Sequence, residues 1–240
     1  MKKAIVFDLD DTLYLRSEPY LRAVREVFGT AFEGREDDLI RASRRCSYEQ
    51  YEKRCRGEID YETMIRRRTV NTFAVFHREL SEEEAQAFEA VYADQLETIT
   101  LRPVMAAVLS ENLAAGGING LITNGPSVRQ REKITRLGLE RFIPPEYMLI
   151  SSELGLEKPE PAIFRLFEKR SGLSAGSCLM VGDHAGNDIA GALAAGWHAA
   201  YLVRPPEVRQ PVKGPQPDLV TASEEALQRF LERSWYPTEA

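Results

Sequence analysis

The sequence predicts an α/β fold, a Rossmann-like parallel sheet core covered by helices and interrupted by an inserted all-α helical segment. Three features carry that prediction. Short apolar runs without alternation, Ala4 to Phe7, Gly120 to Ile122 and Cys178 to Val181, each stop at polar or glycine residues, the pattern of strands buried on both faces. From about residue 100 onward such runs alternate with helical patterns, and that alternation builds a parallel sheet packed against helices. Between Ser17 and Thr100 glycine and proline become scarce, charges are dense, and candidate helices follow one another without a convincing strand.

Taken in order, the first strand is Ala4 to Phe7, ending directly at Asp8. The insert is expected to occupy residues 17–99, leaving 1–16 and 100–240 as the α/β core. Within it, Ser81-Glu82-Glu83-Glu84 has the form of a capping box and opens a helix carrying Phe88, Val91 and Tyr92 on one side. Tyr48, Tyr51, Tyr61, Phe73 and Phe76 are expected to form the core of this insert. Pro103 suits the first turn of a helix that runs through Leu113 and stops at Gly116-Gly117. Further strands are expected from Gly120 to Thr123, Tyr147 to Ser151, Cys178 to Val181 and His198 to Val203, with a helix after Pro161 in which Ile163, Leu166 and Phe167 recur at helical spacing. The tail from Pro205 to Ala240 reads as one more strand near Asp218 to Val220 followed by a terminal helix.

Composition narrows the partners. A formal net charge of -6 over 240 residues offers no basic face for nucleic acid, so a nucleic-acid polymer is a poor candidate substrate. The chain passes from Lys2-Lys3 straight into Ala4 to Phe7 and Asp8, too short and too soon acidic for a signal peptide. No stretch approaches the roughly 18 apolar residues of a membrane helix. Three cysteines, Cys46, Cys55 and Cys178, lie outside metal-binding or disulfide spacing, which fits a reducing cytoplasm. A monomer or homodimer is the default expectation.

The chemistry-bearing residues gather at the strand ends. Asp8, Asp10 and Asp11 fall within four consecutive positions and would repel one another unless a cation or hydrogen-bond donors offset them. A divalent metal is the economical explanation; an acidic turn facing water is the plain alternative, though it does not explain why the other strand ends are equally specialised. Asp10 follows Asp8 by two, so on locally extended backbone both side chains point to one side. Thr123-Asn124-Gly125 supplies a hydroxyl, an amide and a glycine whose backbone can approach a ligand, groups suited to holding phosphate. Lys158 stands on a rigid loop before Pro159-Glu160-Pro161, and Asp183 and Asp188 lie five positions apart on a glycine-containing loop. Hard oxygen ligands of this kind suit Mg2+ better than zinc. His184 is expected to structure that loop and not to ligate a metal.

In Asp8-Leu9-Asp10-Asp11-Thr12, Thr123, Lys158 with Lys-Pro-x-Pro, and Gly182-Asp183 with Asp188, the chain resembles the haloacid dehalogenase (HAD) superfamily, whose four ordered motifs these segments match. The resemblance spans residues 4 to about 204, and the helical insert is similar to the cap of the branch that includes haloacid dehalogenases, phosphoglycolate phosphatases and nucleotidases. It implies a magnesium-dependent phosphatase of a small phosphate monoester, a phosphorylated metabolite of nucleoside monophosphate, sugar phosphate or phosphoglycolate type, that works through an aspartyl-phosphate. It further implies that Asp8 is nucleophile and metal ligand, that Asp10 is general acid and then base and lends its backbone carbonyl to the metal, and that Asp183 completes the protein's share of the metal shell. Lys158 with Thr123, Asn124 and Gly125 would hold the phosphoryl group, and Asp188 would hold metal-bound water or orient Lys158. A phosphomutase and an idle phosphate-binding protein are the alternatives. A carboxylate at position 10 favours phosphate chemistry over dehalogenation, because a halide leaving group needs no acid.

Overall fold

The computed structural model describes residues 2–206, 209–212 and 214–236, so the extreme end of the tail lies outside the described residues. The chain separates into two compact units, Met1–Leu15 with Ile99–Ala240, and Arg16–Thr98.

The first unit is a six-stranded parallel sheet in the order β3-β2-β1-β4-β5-β6. Its strands are β1 (Ala4–Phe7), β2 (Ile118–Thr123), β3 (Met148–Ile150), β4 (Cys178–Gly182), β5 (His198–Leu202) and β6 (Leu219–Thr221). Every residue of β1, β2, β3 and β4 is buried, as their unbroken apolar runs require. Helices α5 (Pro103–Ala114), α6 (Ser127–Arg136), α7 (Ser151–Leu154), α8 (Pro161–Ser171), α9 (Gly191–Ala194) and α10 (Glu224–Ser234) belong to this unit. Pro103 and Pro161 each open their helix, where a missing N–H goes unnoticed. The last strand begins one residue later than the sequence suggests.

This strand order reverses direction between β1 and β4, the point at which open α/β sheets bind ligands beyond their carboxyl ends. The register sharpens that placement. Phe7 lies level with Leu121 of β2 and Val181 of β4, so Asp8 leaves the sheet one residue past that level and Thr123 and Asp183 two residues past it. Three strand ends therefore deliver their polar residues to one edge.

Two packing details hold the sheet to its helices. Asn112 of α5 and Asn119 of β2 are both buried, and their amides are satisfied by one another at 2.7 Å and by the carbonyls of Ile118 and Leu109. Buried amides with complete partners are stable; without partners they would be costly. On the other side, Phe164 and Phe167 of α8 meet Trp197 edge to face at 5.2 and 5.5 Å.

The second unit consists of α1 (Ser17–Phe28), α2 (Glu36–Cys55), α3 (Tyr61–Ala74) and α4 (Glu82–Leu96). The capping box forms: Ser81 Oγ accepts from the Glu84 N–H while the Glu84 carboxylate accepts from the Ser81 N–H. Phe88 and Tyr92 are buried as their spacing predicts, and Phe73 is fully buried with Phe76 packed beside it. Tyr48, Tyr51 and Tyr61, expected in this core, are only half-buried. Tyr20 and Phe32 are buried there instead, with Tyr20 meeting Phe88 at 5.5 Å and the half-buried Phe28 packing on Phe73 at 4.6 Å. Arg68 of α3 pairs with Glu89 of α4 at 2.7 Å with both side chains largely covered.

Gly120 shows how tightly the sheet meets α8. A Cβ there would lie 2.2 Å from Phe167 Cε2 and 3.2 Å from Val6 Cγ2. Gly120→Ala is therefore expected to destabilise the protein by about 1–3 kcal/mol through overpacking. A drop in the denaturant midpoint measures it; an unchanged midpoint would show that α8 retreats freely.

Candidate active site

Asp8 is placed by the ladder itself, since its N–H donates to the Val181 carbonyl at 2.9 Å and extends the β1-β4 pairing past the end of β1. Its carboxylate is buried and accepts from Lys158 Nζ at 2.6 Å. The same ammonium lies 2.7 Å from Asp188 Oδ1. Lys158 is only 2% exposed, so these carboxylates are what make a buried charge tolerable there.

The backbone of Lys158 is fixed by Asn124. The Asn124 Oδ1 accepts from the Lys158 N–H at 2.9 Å and its Nδ2 donates to the Lys158 carbonyl at 2.8 Å. Thus the amide that the sequence offers as a phosphate ligand is spent on the lysine loop. Gly125 is similarly engaged, its N–H donating to Ser151 Oγ at 3.0 Å. Thr123 is buried, with its hydroxyl accepting from Gln130 Nε2 at 2.5 Å.

Past β4, Gly182 makes room for an acid. A Cβ on it would fall 2.4 Å from Asp188 Oδ2, so the absence of a side chain lets the Asp188 carboxylate fold back against the strand end. That carboxylate also accepts from the His184 N–H at 2.9 Å. His184 in turn accepts from the N–H groups of Gly186 and Asn187 through Nδ1 at 3.1 and 2.9 Å, capping a π-helical turn (Ala185–Ala190). It structures the loop, as its sequence position suggests.

Asp8, Asp183 and Asp188 each bring a carboxylate oxygen within 4.8 Å of the others. Burial pushes the Asp8 carboxyl up to about 7 against the pull of Lys158, with the charges of Asp188 and Asp10 adding to the rise. Burial alone would lower the Lys158 ammonium, but Asp188 and Asp8 outweigh it and hold the group above its ordinary range. Three carboxylates facing one ammonium carry two excess negative charges when all are ionised, which is the charge of one divalent cation. The donor set is all carboxylate oxygen, and it fits a hard ion such as Mg2+.

Asp10 occupies a different environment. Its carboxylate accepts from Lys133 Nζ at 2.6 Å, from Gln130 Nε2 at 3.1 Å and from the Tyr14 hydroxyl. Gln130 and Lys133 were not singled out from the sequence. The available signal was their i, i+3 spacing on the helix that directly follows Thr123-Asn124-Gly125.

The loop between Asp8 and Tyr14 turns sharply at Asp11, which is buried with φ of 60°, a conformation disfavoured for residues with a Cβ. Arg204 holds it. The buried guanidinium donates at 2.6 Å to the carbonyls of both Asp11 and Thr12 and pairs at 2.6 Å with Glu224, which also accepts from Arg102 at 2.9 Å.

Residues 2–196 match the family of haloacid dehalogenase-like hydrolases. The chain is 30% identical over 202 residues to the glyceraldehyde 3-phosphate phosphatase of Methanopyrus kandleri, covering 82% of each chain. It is equally 30% identical over 204 residues to the ribulose-1,5-bisphosphate 5-phosphatase of Halopiger xanaduensis, again over 82% of each. Among solved structures, the L-2-haloacid dehalogenase of Xanthobacter autotrophicus shares the fold with a TM-score of 0.73 at 20% identity, over 98% of this chain and 100% of that one.

Removing the acid shared by two arginines tests the loop's support. Glu224→Gln would remove the buried carboxylate that Arg204 and Arg102 share, at an expected cost of about 3 kcal/mol in unfolding free energy. A loss under about 1 kcal/mol, the range of a solvent-screened pair, would contradict this account.

Proposed function

The chain belongs to the haloacid dehalogenase-like hydrolase family, and on that premise we propose that it is a magnesium-dependent phosphatase of small phosphate monoesters, of sugar-phosphate type, acting through an aspartyl-phosphate on Asp8. One observation carries the reading: two carboxylates two residues apart lie in unlike surroundings. Asp8 is buried between an ammonium and other acids, whereas Asp10 is half-buried among hydrogen-bond donors. Environments that differ in this way suit one carboxylate to attack and the other to proton transfer.

In the proposed reaction the Asp8 carboxylate attacks phosphorus as the bond to the leaving oxygen breaks, and Asp10 gives that oxygen its proton. Water then attacks the phosphoryl group, Asp10 takes a proton from it, and inorganic phosphate leaves with Asp8 restored. One proton is given and one returned, so the cycle closes. Lys158 neutralises the phosphoryl oxygens as they approach Asp8, with Asp188 orienting the ammonium. From the Thr123-Asn124-Gly125 segment, Thr123 is the proposed phosphate contact, while Asn124 and Gly125 serve by holding the Lys158 loop and Ser151. Asp8, Asp183 and the backbone carbonyl of Asp10 would hold the magnesium, which supplies the charge neutralisation that lets an anionic nucleophile meet a dianionic phosphate.

The names of the relatives support a small sugar phosphate or a similar metabolite as substrate. The dehalogenase shares the fold alone, and Asp10 argues against its chemistry. The inserted helical unit is assigned the cap's role expected from the resemblance, favouring small metabolites over phosphoproteins, in a reducing cytoplasm.

With a panel of sugar phosphates and magnesium, phosphate release is expected from the wild type and none from Asp8→Asn. Asp10→Ala is expected to lower kcat by about 10²- to 10⁴-fold, the usual contribution of a positioned acid or base. Chelation should abolish turnover and added magnesium restore it. Isomerised sugar phosphate with little free phosphate would replace hydrolysis by a mutase reaction, and full activity in Asp8→Asn would remove the aspartyl-phosphate altogether.

A further inference from the structure

We propose that Gln130 and Lys133, on one face of α6, are positioning residues that fix the carboxylate of Asp10; this rests on the reading of Asp10 as the acid and base of the reaction. A carboxylate on a short side chain has two soft torsions, and a donor on each oxygen removes both. α6 supplies such a pair. Lys133 Nζ lies 2.6 Å from Asp10 Oδ1, and Gln130 Nε2 lies 3.1 Å from Asp10 Oδ2. The two donors are themselves coupled, because Lys133 Nζ also donates to Gln130 Oε1 at 2.9 Å. Residues three apart on a helix share a face, which is why both side chains reach the same acid.

The remaining contacts of Gln130 lead to the neighbouring strand end. Its Nε2 reaches Thr123 Oγ1 at 2.5 Å and the Asn124 carbonyl at 3.2 Å. One buried amide thus ties Asp10, in the loop that follows β1, to the end of β2, and both belong to the proposed site. An amide at 2% exposure is tolerable because its polar atoms are satisfied, here by Asp10, Thr123, the Asn124 carbonyl and Lys133. Lys133 keeps 13% of its side chain exposed and Asp10 22%. Asp10 is therefore held from the α6 side yet still open to a reactant. Geometry of this kind matters to rate more than to stability, since a misplacement of about 1 Å can cost about 10²-fold.

A role exercised through Asp10 predicts non-additivity. Lys133→Met, which keeps the length of the stem and removes the charge, is expected to lower kcat by about 10- to 100-fold with KM within about 2-fold of wild type. In an Asp10→Ala background the same substitution is expected to change kcat by less than about 2-fold, because its partner is already gone. A further loss in that background of the same size as in the wild type would overturn the proposal, as would a rise in KM with kcat unchanged, which would make Lys133 a substrate-binding residue. Thermal unfolding of each variant controls for folding. Should Lys133→Met fail to fold, Lys133→Gln retains a donor, and its smaller loss must likewise vanish with Asp10→Ala. Failure of the wild type to release phosphate from any substrate would sink the phosphatase reading itself; a working wild type with a slow Asp10→Ala and an unimpaired Lys133→Met sinks the clamp alone.

Discussion

The Lys158 ammonium is the point on which the sheet edge depends. It is buried, and it touches acids from the ends of two strands, Asp8 after β1 and Asp188 beyond β4. The third strand end reaches it through the backbone, by the double hydrogen bond from Asn124 after β2. Taking any one of these away would leave a charge or a polar group stranded in a medium that does not forgive it. The parallel register brings the strand ends level, but it is this ammonium that obliges them to stay close with like charges facing one another.

The first loop draws on a second buried ion pair, of a different kind. Arg204 donates to two backbone carbonyls and pairs with Glu224. A fork of fixed donors suits that task in a way a flexible ammonium does not. Asp11 sits in a left-handed conformation, and the two carbonyl contacts on either side of the turn offset its strain. The loop that carries Asp10 is thereby anchored to the C-terminal helix α10, far from it in sequence.

Much of this was legible in the chain itself. Buried parallel strands announce themselves as apolar runs stopped by polar residues, and β1, β2 and β4 stand where those runs fall. The candidate site residues were visible because strand ends are where such sheets gather function. What was hidden is instructive. Gln130 and Lys133 stayed hidden because hydrophobic periodicity marks which face of a helix is apolar and says nothing of a polar face turned toward a site. Arg204 and Glu224 lack a local signature altogether, as they stand 20 residues from one another and their other partners, Asp11, Thr12 and Arg102, lie more than a hundred residues away. Asn124 was read by its chemistry as a phosphate ligand, but an amide suits a backbone peptide equally well, and only the fold decides which it meets. In the helical unit, Tyr48, Tyr51 and Tyr61 are amphipathic and settle at intermediate depth, while Tyr20, Phe32, Phe73 and Phe88 fill the core.

The contrast between Asp8 and Asp10 follows from where each stands relative to the sheet. Asp8 still belongs to the ladder, so its surroundings are those of a strand end, namely other strand ends, and these bring acids together with one cation. Asp10 lies beyond the ladder, where the chain has begun to turn, and its neighbours come from a helix face and from Tyr14. A helix presents side chains of free choice, and here they are all donors. The same two-residue step that puts both acids on one side of the chain also carries the second across the boundary between sheet and loop. Asp8 thus meets the Lys158 ammonium among other acids, whereas Asp10 meets the Lys133 ammonium among neutral donors. Division of labour between the two carboxylates is therefore set by the position of the sheet edge.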